Sequence, residues 1–200
     1  MFGRASKGRD QLGKYITQIR GVSYKPSDLF LSKTEQSIVL LRANNISNGQ
    51  INHNDVQYID KNKVTKVQLI RNGDIIICAS SGSLDYVGKA ALCQNCCLGE
   101  TIGAFCKLIR PKGFLKSEYI AAYFNSVEYR RIINSLVNGT NINNLKNEHI
   151  DELQIYIPSC DEQDCFVEFS NHIDKLRFAS EQKKKELLEQ KKALFDKYFR

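Results

Sequence analysis

SCDEQDCFVEFSNHIDKLRFASEQKKKELLEQKKALFDKYFR, residues 159–200, decides how the rest of the chain is read. It holds no Gly and no Pro and is dense in Lys, Glu, Gln and Leu, all good helix formers. Ser159 stands three residues before Glu162, a capping-box spacing, and Pro158 ends whatever precedes. Phe166, Phe169, Ile173 and Leu176 then recur in steps of three and four. The expectation is one helix of about forty residues, roughly 60 Å long at ~1.5 Å per residue. Helical propensity alone does not hold such a rod in water. Carried in heptads, the seam reaches Leu187 and Leu194 through a polar middle, while Leu188, Phe195 and Tyr198 form a second register near the end. The sharp reading is one strand of a two-helix coiled coil, dimerising through Phe166, Phe169, Ile173, Leu176, Leu187 and Leu194. The plain alternative is a solvated helix lying on its own domain. No second helix of this kind stands elsewhere in the chain, so the partner helix is expected from another molecule.

Upstream, the chain breaks into short runs. SIVLLRA (37–43) and DIIICA (74–79) are apolar and branched, as buried strands are. Segments 56–59, 87–93, 101–109 and 153–157 are further strand candidates, and 13–19 is a short helix or strand. Residues 1–12 look like a basic, flexible leader. A helix is expected over 117–138, with Ser117 as its cap and Asn138–Gly139 closing it. Strands and helices do not alternate regularly, which argues against a doubly wound nucleotide fold. The fold class is therefore mixed α/β (α+β). A globular domain over 1–158 is followed by one long helix over 159–200.

Composition narrows the function. The 200 residues are 42% hydrophobic, enough for a real core, and carry a formal net charge of +7. That excess suits an acidic partner such as nucleic acid. No apolar run approaches bilayer length, and the start of the chain lacks a secretory core. Seven cysteines are an odd number, and they read as reduced thiols in a cytoplasmic protein. Cys93, Cys96, Cys97 and Cys106 suggest a metal site only weakly. The second CxxC pair is missing, and His53, His149 and His172 are scattered. No catalytic set, metal or cofactor is expected.

Several loops carry groups suited to DNA. Arg42, Asn44 and Asn45 follow a buried strand; Arg pairs with guanine and Asn with adenine in the major groove. Thr140, Asn141, Asn143 and Asn144 follow a helix with a similar run of donors and acceptors. Ser80, Ser81 and Ser83, with Lys89 beyond them, offer small hydroxyls and a charge to phosphate. Each has a bland counterpart: serines and asparagines in loops satisfy their own backbone. Tyr24, Lys25, Arg71, Arg110 and Lys112 are candidate phosphate contacts, with solvated surface as the ordinary fate of any one of them.

Taken in order, LLRANNISNGQI (40–51), NGDIIICASSGSLDYVGKAAL (72–92), NGTNINNL (138–145), LQIYIP (153–158) and KKALFDKYF (191–199) resemble the specificity subunit of type I restriction–modification enzymes. The resemblance covers nearly all of the chain beyond the leader and rests on the order of weak motifs. It implies one target-recognition domain followed by one of that family's long helices. Full-length subunits of the family usually carry two of each. Their helices pair antiparallel, and each domain reads half of a split target. Here there is one of each, as in a natural half-subunit or one half of a longer protein. The implied function is sequence-specific recognition of double-stranded DNA by a non-catalytic subunit. It would direct methyltransferase subunits, with or without a restriction subunit, as a homodimer. Two rivals stay open: a cysteine- or metal-dependent hydrolase using Cys96 or Cys97 near His149, and a coiled-coil scaffold that never touches DNA.

Overall fold

The computed structural model describes residues 8–138 and 144–199, without the side chains at 137, 138, 174 and 178. The chain divides into two compact units, Met1–Ile157 and Pro158–Arg200.

The first unit is built on two four-stranded sheets. In chain order the strands are β1 (Gly8–Gln11), β2 (Ile16–Arg20), β3 (Leu29–Phe30), β4 (Ser37–Leu41), β5 (Ile46–Ser47), β6 (Gln50–Ile51), β7 (Gln57–Asp60), β8 (Ile75–Cys78), β9 (Ala90–Leu92), β10 (Thr101–Ile102), β11 (Cys106–Pro111) and β12 (Gln154–Ile157). One sheet has the order β2-β11-β8-β9 and is antiparallel throughout. The other has the order β10-β4-β7-β3, with β10 parallel to β4. The β5-β6 and β1-β12 pairs stand apart from them.

The run Ile75–Cys78 is apolar at every position because both faces of β8 are covered. Ile75 and Ile77 join the larger core with Leu12, Ile16, Phe124, Tyr129 and Ile155. Ile76 and Cys78 face a second core with Leu41, Ile46, Ile102 and Leu108. Val22, Leu40 and Ile59 make a third cluster.

Four expectations need correction. Residues 117–138 form two helices, α1 (Ser117–Phe124) and α2 (Val127–Asn138). The amide of Asn125 turns back to the Ala121 carbonyl at 2.8 Å, and Ser126 Oγ accepts the Tyr129 N–H at 3.1 Å to start a new helix. The cap of α1 is Lys116, one residue before the expected Ser117. Segment 101–109 is two strands in different sheets, because the chain turns at Gly103. The leader ends sooner than residue 12: Gly8–Gln11 pairs with β12, and Leu12 is fully buried. A short helix, α3 (Asn147–Asp151), fills the expected helical turn after 145.

The second unit is α4, Cys160–Phe199, forty residues without a break. Its capping box is formed: the Ser159 N–H donates to Glu162 at 2.8 Å, and the Glu162 N–H donates to Ser159 Oγ at 3.3 Å. Phe169, Leu176, Leu187 and Leu194 are more than half exposed along it. Among the described residues, no helix is long and apolar enough to cross a membrane.

Candidate nucleic-acid interface

Four separate segments close around one cleft of about 600 Å³. The segment after β2 contributes Ser23 and Tyr24, and the turn after β4 contributes Arg42 and Asn44. The loop after β8 contributes Ser80, Ser81 and Gly82, and the β10–β11 turn contributes Gly103, Ala104 and Phe105. Tyr24 is fixed by its hydroxyl, which bonds Gln57 at 2.9 Å. Phe105 is 70% exposed, yet its carbonyl is gripped by the Ala79 and Ser80 N–H groups at 2.8 and 3.0 Å. An aromatic ring held open to solvent on an anchored backbone is suited to stacking on, or wedging beside, a base. Reading 101–109 as one strand hid it.

The turn after β4 is organised by Asp55, a residue the sequence alone did not single out. Its Oδ2 accepts from Arg42 Nη2 at 2.8 Å and from Asn44 Nδ2 at 2.8 Å. Its carbonyl accepts from Arg42 Nη2 and Asn45 Nδ2, both at 3.1 Å. Asn45, expected as a base contact, is placed by the structure as a buried strut inside the turn. It is 1% exposed, its Oδ1 takes the Arg42 N–H at 2.8 Å, and its Nδ2 also reaches the Asn52 carbonyl. A buried amide with both ends partnered has nothing to offer a base.

The remaining expected residues scatter more. Asn144 is brought beside Ser80 by an antiparallel bridge. Thr140, Asn141 and Asn143 lie outside the described residues. Ser83 is exposed and does not line the cleft; its N–H caps onto Ser81 Oγ at 3.2 Å, the ordinary loop use of a serine. Lys25 is exposed beside Tyr24. Lys89 lies 4.0 Å above the Tyr86 ring and lines a second, smaller cleft of about 350 Å³ with Arg130 and Arg131. Those two arginines were missed because nothing in the sequence places α2 beside Lys89. Arg110, expected as a candidate phosphate contact, forms a two-pronged ion pair with the buried Asp74 at 2.8 and 2.7 Å. Lys112 is exposed, and its Nζ donates to the Gly13 and Lys14 carbonyls at 3.2 and 3.4 Å.

The family of the Type I restriction modification DNA specificity domain matches residues 25–190. The chain belongs to that family. The StySPI specificity subunit of Salmonella potsdam is 41% identical over 152 residues, 76% of this chain and 33% of that one. The EcoKI specificity subunit of Escherichia coli (strain K12) is 40% identical over 152 residues, 76% of this chain and 32% of that one. The chain thus spans about a third of the length of these curated relatives. Among solved structures, a chain from work on complex assembly and conformational transition of the type I R-M system superposes with a TM-score of 0.69 at 18% identity, over all of this chain and 47% of that one. The HsdS subunit from Thermoanaerobacter tengcongensis gives 0.62 at 15% identity, over 89% and 40%. At such identities these likenesses speak for the mixed α/β fold with its long terminal helix.

Among the described residues, no three His, Cys, Asp or Glu side chains converge as metal ligands. All seven cysteines are free, and Cys78, Cys93, Cys97 and Cys106 are buried. Burial pushes the Cys78 thiol up to about 11. A hydrogen bond to Cys97, together with burial, holds Cys93 protonated. The histidines sit on separate elements: His53 pairs with Glu100 at 3.0 Å, His149 Nδ1 accepts the Lys146 N–H at the start of α3, and His172 is on α4.

Proposed function

We propose that this chain reads the base sequence of double-stranded DNA through the cleft between Tyr24, Arg42, Asn44, Ser80 and Phe105, as a specificity component of a type I restriction–modification system. The observation that carries the reading is the convergence of four separate segments on one cleft whose lining combines an arginine, an amide, hydroxyls and an open aromatic ring. Arg42 and Asn44 are the base readers, since their donor sets match guanine and adenine edges. Phe105 stacks or wedges against the duplex. Lys25, with Lys89, Arg130 and Arg131 in the neighbouring cleft, holds phosphates. Thr140, Asn141, Asn143 and Asn144 are further base readers in this proposal, and of these Asn144 stands beside Ser80.

The chain performs no chemistry of its own in this reading and directs methyltransferase subunits, with or without a restriction subunit, to the target in the cytoplasm. Residues 1–158 act as the recognition domain and 159–200 as the spacer and dimerisation helix. The exposed Phe169, Leu176, Leu187 and Leu194 favour pairing of α4 with a second copy. A two-fold dimer then meets an inverted-repeat, bipartite target, because target symmetry mirrors protein symmetry.

The test is fluorescence anisotropy on labelled mixed-sequence duplexes across a salt series. The reading predicts binding whose affinity falls steeply as salt rises. Absence of binding at low salt, or salt-independent binding, contradicts it.

A further inference from the structure

Asp55 presents an energetic puzzle. Its side chain is 70% exposed, and its ion pair with Arg42 lies at the surface. Exposed pairs of this kind contribute about 0–1 kcal/mol to stability. A carboxylate at a surface that receives a polyanion also weakens binding by repulsion. Neither stability nor affinity explains its position.

Geometry does. Asp55 holds Arg42 and Asn44 at once, both through Oδ2 at 2.8 Å. Asn44 must turn Nδ2 toward the carboxylate, so its Oδ1 faces the other way. One hydrogen of that Nδ2 and the Oδ1 are left as the donor–acceptor pair that fits adenine N7 and N6. Arg42 gives Nη2 to the carboxylate and the carbonyl of Asp55. Its Nη1 has no partner among the described residues and stays available to an acceptor such as guanine O6 or N7. Both readers are thereby held before DNA arrives, which lowers the ordering cost of the bound geometry.

We propose that Asp55 is a specificity-determining positioning residue, which orients Arg42 and Asn44 toward the bases and exchanges raw affinity for discrimination. This rests on the DNA-reading function proposed above.

The test compares the full chain with its Asp55→Ala, Asp55→Asn and Arg42→Ala/Asn44→Ala variants. The probes are the duplex selected by the unmodified chain, each of its single-pair variants, and a mixed-sequence duplex, all at one salt concentration. Asp55→Ala is expected to bind the mixed duplex as well as the unmodified chain or better. Its preference for the selected sequence should fall about ten-fold, at one or two base pairs only, as expected for loss of an oriented bidentate contact. Asp55→Asn keeps an acceptor and should fall between. In the Arg42→Ala/Asn44→Ala background, Asp55→Ala should change the preference no further, an outcome that a merely structural role does not give. Unchanged preference in Asp55→Ala overturns the proposal and leaves the DNA-reading function standing, as does an equal loss on every duplex. If the unmodified chain shows no preference among duplexes, both fall.

Discussion

Gly21 and Gly103 approach backbone to backbone: a Cβ added to Gly21 would lie 2.1 Å from the Gly103 carbonyl oxygen. The contact stands where β2 ends and β10 turns, and it joins the two sheets. The Gly21 N–H donates to the Cys106 carbonyl at 3.1 Å, and the neighbouring Val22 N–H reaches Ile102 at 2.7 Å. Gly103 also lines the cleft. Gly21→Ala must therefore push the floor of the cleft outward. Overpacking of this kind costs roughly 1–3 kcal/mol, so the denaturant midpoint should drop, with DNA affinity falling alongside. An unchanged midpoint would mean that the two sheets are not joined there.

Asp74 and Arg110 should be the most sensitive charged pair in the body. Asp74 is 1% exposed and also accepts the Arg71 N–H at 2.8 Å. Removing one partner of a buried pair leaves the other charge uncompensated, at a cost of roughly 3–5 kcal/mol. Asp74→Ala is expected to lose that much in urea unfolding. Asp74→Leu/Arg110→Met should recover a large part of it, because an apolar pair of similar volume removes both charges.

Thiol accessibility separates structural from reactive cysteines. Cys96, Cys160 and Cys165 are exposed, and the other four are buried. Brief iodoacetamide treatment of the native chain, read by mass spectrometry, should modify those three, and all seven should react in denaturant. DNA binding should survive the native treatment. Its loss on modification of Cys96 alone would favour the thiol-dependent rival.

Pairing through α4 predicts a solution mass of two chains at micromolar concentration. Leu187→Asp and Leu194→Asp together should return it to one chain without changing the spectrum of the body, since both side chains are more than half exposed in the single chain. Sedimentation equilibrium reads this directly. A monomeric unmodified chain contradicts dimerisation.

What was legible in the sequence was whatever depends on short-range order. The four apolar positions of β8, the alternation of β12 and the unbroken helical composition of α4 each announce themselves within a dozen residues. The breaks did not. Asn125 and Ser126 stop one helix and start another through side chain–backbone bonds that compete with helical continuity, and an apolar periodicity running across them conceals it. The apolar run is split where the backbone at Gly103 packs on Gly21, 82 residues away in sequence, leaving no room for a side chain at position 21. The site divided in the same way. Residue types suited to bases picked out Arg42 and Asn44, but the same reasoning accepted Asn45, whose burial is a property of the packed turn. Asp55, Phe105, Arg130 and Arg131 acquire meaning only through neighbours distant in sequence.

The central claim is that this cleft reads bases, and selection from a pool of randomised duplexes tests it most directly. The unmodified chain should enrich one defined motif, and Arg42→Ala, Asn44→Ala and Phe105→Ala should each relax it at different positions while binding to mixed DNA persists. Recovery of no common motif, or of the same motif with all three side chains removed, would contradict the account.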